Sequence, residues 1–160
     1  MMVPDMNETN IAVLGYATHC SEFNKEIAFD VGRLLALRGF IVCSGNITGT
    51  FIHAFKGAKS VKGHTVAILE NTQRTAHKPF CDDAIYALDT DAKHTLISEK
   101  CQAAIVIGGG EGTKKLINRF IHLNKDVIAI KGSGGAVNSK LNGNVRVLDN
   151  LELAVSELIR

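Results

Sequence analysis

The sequence is short of proline, of paired cysteines and of any charge excess. Two prolines stand against fifteen glycines in 160 residues. Eighteen basic residues nearly balance sixteen acidic ones, leaving a net charge of +2. That balance argues against a general nucleic-acid binder. The four cysteines, Cys20, Cys43, Cys81 and Cys101, form no CxxC pair, and zinc sites are usually built from such pairs. The six histidines show neither HxH nor HExxH spacing, so no metal is expected. No apolar run approaches the roughly 18 to 20 residues that span a bilayer, and no membrane partner is expected. Residues 1–9 contain Asp5 and Glu8 and no basic residue, unlike a secretory or transit signal. The expectation is a cytoplasmic chain with reduced, mostly buried thiols and a flexible first nine residues.

What is present fits one compact α/β domain spanning residues 1–160. Hydrophobic residues make up 46% and charged residues 21%, the ordinary globular balance, and the length suffices for a full core. Strand-like and helix-like segments alternate throughout. NIAVLG at 10–15 reads as a strand. A helix is expected over 22–38, where Phe23, Ile27, Val31 and Leu35 fall four apart. Ser21 can cap its start and Gly39 can stop it. Strands are expected at 40–43, 65–69, 84–88, 103–107, 127–130 and 145–148, and helices at 51–62, 91–100, 113–123 and 151–159. Several strands are continuous apolar runs, AAIVI at 103–107 above all. Strands covered on both faces look like that. The expected fold is a doubly wound, Rossmann-like parallel sheet with helices on both faces. Ligands of such sheets bind beyond the carboxyl ends of the strands, which directs attention to the loops at 15–20, 44–50, 108–113 and 132–135.

The strongest motif is GGGEGTKK at 108–115, between the most apolar strand and a helix. Its glycines let main-chain N–H groups approach a ligand, and the helix start adds free N–H groups and partial positive charge. Thr113 adds a hydroxyl. The combination favours a phosphate or similar anion, though a tight packing turn would also use glycine. It is not a P-loop, because Gly112 is followed by Thr113 and two lysines, and no G-x-G-x-x-G follows the first strand. A second loop, SGNITGT at 44–50, also joins a strand to a helix. Ser44, Gly45, Asn46 and Gly49 can close the other side of one ligand, or form only a polar connection. Tyr16 and His19, after the first strand, can touch a base or ribose. Lys114 and Lys115 can attract an anion or stay solvated.

In order and spacing, IAVLGYATHC, then GRLLALRGFIVCSGNITGTFIHAFKGAKSVKGHTVAIL, then AAIVIGGGEGTKKLINRF resemble the SLOG superfamily of Rossmann-like proteins. Its members include the LOG phosphoribohydrolases, small nucleotide-binding proteins of this length and molybdenum-cofactor carriers. The resemblance covers nearly the whole chain. It implies a phosphate loop at Gly109, Gly110, Glu111, Gly112 and Thr113, and assembly into a homodimer or homotetramer. The expected partner is a phosphorylated small molecule, and no cofactor is expected beyond a bound nucleotide or phosphorylated pterin. The LOG enzymes hydrolyse the N-glycosidic bond of nucleoside monophosphates. Their motif places a carboxylate after G-T, where this chain has Lys115 and Leu116. Their arginine before the loop corresponds to Lys93, followed by His94 where small members often carry Asn. Lysine keeps the charge and loses the bidentate fork. Lys93 and His94 are the catalytic candidates if hydrolysis occurs, but loss of the carboxylate points toward binding without catalysis. Glu111 is expected to face solvent.

Overall fold

The computed structural model describes residues 8–138, 141 and 143–159. Most of the N-terminal stretch expected to be flexible, residues 1–7, lies outside them. In chain order the elements are β1 (Asn10–Gly15), α1 (Glu22–Leu37), β2 (Ile41–Ser44), α2 (Gly49–Ser60), β3 (Thr65–Glu70), β4 (Asp83–Ala87), α3 (Thr90–Lys100), β5 (Ala103–Ile107), α4 (Glu111–His122), β6 (Asp126–Ile130), β7 (Arg146–Leu148) and α5 (Leu151–Ser156). The seven strands form one sheet in the order β4-β3-β2-β1-β5-β6-β7. Every neighbouring pair is parallel, and Ile11 aligns with Val42 on one side and Ala103 on the other. The expected doubly wound α/β sheet is the one observed.

Alternate residues along the strands feed two separate cores, as the period of two requires. Ile11, Val13, Ile105 and Ile107 face α1, α2 and α5, packing with Val31, Leu35 and Phe55. Ala12, Leu14, Ala104 and Val106 face α3 and α4, packing with Ile97, Leu116 and Phe120. Both faces are buried, so the central strands read as unbroken apolar runs rather than alternating ones. Phe55 and Phe120 are fully buried anchors of the two layers. Truncating such a ring typically costs about 3 to 5 kcal/mol.

Helix starts follow local chemistry. The Ser21 hydroxyl accepts from the Asn24 N–H at 3.1 Å, and the Asp89 carboxylate accepts from the Ala92 N–H at 2.8 Å. Asn150 caps α5 in the same way. These side chains satisfy donors that the helix leaves free. Phe23 departs from the expected apolar stripe of α1: it is 55% exposed, its ring lying beside Gly132 in the loop after β6. Cys43 and Cys101 are buried, whereas Cys20 and Cys81 are half-buried. Hydrogen bonding with Cys43, together with burial, holds the Cys101 thiol well above its ordinary pKa.

The chain runs outward from β1 through β4 and then crosses back to β5 on the other side of β1. The reversal of strand order therefore falls between β1 and β5. Loops leaving the carboxyl ends of these two strands diverge to opposite faces and open a crevice.

Candidate functional site

A cleft of about 200 Å³ occupies that crevice. Its walls come from the end of β1 (Leu14, Gly15), the loop after β2 (Gly45, Asn46), α3 (Lys93, His94, Ile97) and the start of α4 (Gly112, Thr113, Leu116), with Phe51 of α2.

Each wall has a local cause. Gly110 is the residue before α4 and leaves it without a side-chain cap. Among the described residues no side chain caps the N–H groups of its first turn, and they can meet a ligand. Gly109 has φ of 96°, in the left-handed region that favours glycine. A Cβ there would lie 2.3 Å from the Thr113 hydroxyl. Across the cleft, the buried Ser44 hydroxyl donates to the Asn46 carbonyl at 2.6 Å. The Asn46 carboxamide oxygen accepts from the Ile47 N–H at 2.8 Å. Both bonds curl the loop over the sheet end. Gly45 leaves room for α3: a Cβ there would meet the Ile97 side chain at 2.9 Å.

Lys93 reaches across. Its ammonium donates to the Gly45 carbonyl at 3.2 Å and stands 3.9 Å from a Glu70 carboxylate oxygen, with the lysine side chain only 12% exposed. Glu70 is itself occupied: it accepts from the Thr90 hydroxyl and takes part in a reciprocal cap with Gln73. His94 is half-buried. Among the described residues its ring makes no hydrogen bond. Burial pushes its pKa below the ordinary imidazole value, and the charges of Lys93 and Arg119 push the same way against Asp91 and Glu70.

The structure thus brings Gly45, Asn46, Lys93, His94, Gly112 and Thr113 to one cavity. Gly109 and Ser44 shape the loops from behind, and Gly110 leads into the uncapped turn. Gly49, with φ of 55°, presses against the backbone of Tyr16 and Ala17, so it stitches the first two loops together rather than facing the cavity. Tyr16 turns away from the cleft. Its ring packs over Gly108, and its hydroxyl would lie 2.0 Å from a Cβ on Gly135. His19 is exposed on the loop before α1. Neither residue lines the cavity. Glu111 points outward, paired with Lys114 at 3.0 Å and 83% exposed. Lys115 lies in a separate groove between α3 and α4, beside Asn118 and His122. Leu116 occupies the floor instead, with Leu14, Phe51 and Ile97. Of the cavity's determinants, Glu70 and this apolar floor were missed in the sequence. Glu70 ends a strand at the ligand-binding edge, which was a usable signal. Phe51 carried none.

Groups of three or more metal-binding side chains are absent among the described residues. No helix among them is long and apolar enough to cross a membrane.

This combination of a parallel sheet reversed at β1/β5 and a glycine-rich loop before α4 defines a class of Rossmann-like proteins. The sequence matches the SLOG cluster4 family over residues 8–156, and the chain belongs to that family. An uncharacterized protein of Archaeoglobus fulgidus is 35% identical over 130 residues, covering 79% of this chain and 82% of its own. The molybdenum cofactor binding protein of Rippkaea orientalis has a similar structure, with a TM-score of 0.82 at 23% identity, covering 94% of this chain and 95% of its own. DNA processing protein A of Helicobacter pylori, described as binding single-stranded DNA, reaches a TM-score of 0.71 at 14% identity, covering 95% of this chain and 80% of its own. At these identities the structural likenesses speak for the fold.

Proposed function

We propose that this protein binds a phosphorylated small molecule in the cleft and releases it unchanged. One observation carries this reading. The Lys93 ammonium and the His94 imidazole share the cleft with the open amino end of α4, and among the described residues no carboxylate lines it. Free N–H groups and a helix dipole favour an oxyanion. A glycosidic hydrolase needs a group to stabilise an oxocarbenium-like centre or activate water. Leu116 can do neither. The cavity is smaller than the roughly 300 to 1,000 Å³ of whole-ligand sites. It suits a phosphate and the sugar-sized portion next to it, with the rest of the ligand lying outside.

Calorimetric titration with ribose 5-phosphate, AMP and inorganic phosphate tests the binding, and chromatography of the AMP mixture tests for free adenine. The expected result is saturable binding with no adenine. Absence of binding to all three overturns the reading. Adenine release abolished by Lys93→Ala replaces it with a LOG-like phosphoribohydrolase.

A second reading, a carrier of a phosphorylated pterin, is favoured by the apolar floor, which can support a flat ring. The likeness to a molybdenum cofactor binding protein adds to it. Mass spectrometry of ligand retained on the purified protein tests it. The proposal includes a homodimer or homotetramer, checked by light scattering at micromolar concentration. It excludes a nucleic-acid role, checked by titration with single-stranded DNA.

A further inference from the structure

Resting on the phosphate-binding reading, we propose that His94 takes up a proton when ligand binds, and that the cleft thereby selects a terminal phosphate monoester over a diester. His94 stands beside the ligand turn: a Cβ on Gly112 would lie 4.0 Å from its Cε1. The ring lines the cleft, and among the described residues both its nitrogens lack hydrogen-bond partners, so either can turn to an oxyanion.

Charge balance gives the reason. The end of a helix contributes about half an elementary charge. Lys93 contributes one charge, partly offset by Glu70 at 3.9 Å. The free cleft therefore falls short of the roughly −1.5 to −2 carried by a phosphomonoester near neutral pH. A protonated His94 supplies the difference. A diester carries a single negative charge and needs no such proton.

The free state is set against that proton. His94 is flanked by Lys93 and Asp91 on its own helix, by Arg119 from α4 and by Glu70 from the end of β3. Arg119 is already engaged by Asp91 at 3.0 Å and by the Thr95 hydroxyl at 2.8 Å, so Asp91 is spent on the guanidinium. Burial and the two cations hold the imidazole below its ordinary pKa, which favours the neutral ring. An oxyanion within a few ångströms reverses the balance and raises that value. The sign follows: binding is strongest below the raised value and weakens as pH climbs through it. The proton comes from solvent and returns there on release.

The test is calorimetry at pH 6.5 in two buffers of different ionisation enthalpy, with ribose 5-phosphate and dimethyl phosphate, on the wild type and His94→Asn. The wild type is expected to take up more protons than His94→Asn with ribose 5-phosphate, and to bind dimethyl phosphate about tenfold or more weakly. Proton NMR titration of His94 Cε1–H in the wild type gives the same answer without a variant, as an upward pKa shift on adding ribose 5-phosphate. Binding with equal proton uptake in both proteins and an unmoved His94 titration overturns this inference and leaves the phosphate site standing. Absence of binding to ribose 5-phosphate overturns both.

Discussion

Lys59 and Lys93 anchor opposite ends of the same sheet. Lys59, near the amino ends of β3 and β4, is saturated. It meets both oxygens of Asp82 at 2.8 Å and the Gly63 carbonyl at 3.0 Å. Asp82 in turn accepts from the Thr65 N–H at 2.9 Å and faces His64 at 3.5 Å. Lys93, at the carboxyl ends, is more deeply buried, with a side chain 12% exposed against 32% for Lys59. Yet it has a carbonyl at 3.2 Å and a carboxylate only at the limit of ion pairing. Burying a charge is costly unless it is well paired. The better-paired lysine is the one that needs pairing less. One end of the sheet is built for stability, and the other leaves a buried ammonium weakly paired.

Removing Lys93 has the largest expected consequence. Lys93→Ala is expected to weaken ribose 5-phosphate binding by about 10- to 100-fold, the worth of one charged hydrogen bond, with little change in Tm. A large drop in Tm with unchanged affinity would break the comparison by making Lys93 a structural residue. Asp82→Ala is expected to do the opposite. It strands Lys59 and the Thr65 N–H, and urea unfolding is expected to show a loss of about 1 to 2 kcal/mol after discounting for partial exposure, with affinity unchanged.

The smallest effect is a pH dependence that sharpens the contrast. Partial burial alone would raise the Asp82 pKa. The hydrogen bonds from Lys59 and the Thr65 backbone, with the Lys59 charge, outweigh that and hold it below the ordinary carboxylate value. A carboxyl lowered on folding contributes stability that is present above its unfolded pKa, about 3.9, and is lost as pH falls through the lowered folded value. Thermal unfolding between pH 5 and 2 is therefore expected to fall less steeply for Asp82→Asn than for the wild type. Equal slopes would remove Asp82 from the account of the stable end.

The architecture was legible because its signals are local and repeated. Apolar runs such as AAIVI, caps at Ser21 and breaks at Gly39 each act within a few residues. The glycine loop at 108–113 was legible because it joins a strand to a helix, and His94 because it lies near a helix start; Lys93 was reached only through the resemblance to the LOG motif. Tyr16 shows where that reasoning stops. Its place after β1 suits base stacking, but Gly108 and Gly135, distant in sequence, leave space that its ring fills. Phe51 and Leu116 fall in helices, and both are buried. That they also floor a cavity depends on which side of the crevice each helix begins. Glu70 was overlooked for a related reason: its partners Thr90 and Lys93 lie twenty or more positions away.

The account depends on main-chain amides at the start of α4 meeting a phosphate. The most direct measurement is the ¹⁵N–¹H correlation spectrum of the uniformly labelled protein during titration with ribose 5-phosphate. Saturable shifts are expected in the amides of Gly110, Glu111, Gly112 and Thr113, joined by Gly45 and Asn46, with the His64 and Asp82 amides unmoved. Saturable shifts that leave the α4 amides in place, or no shifts at all, would contradict it.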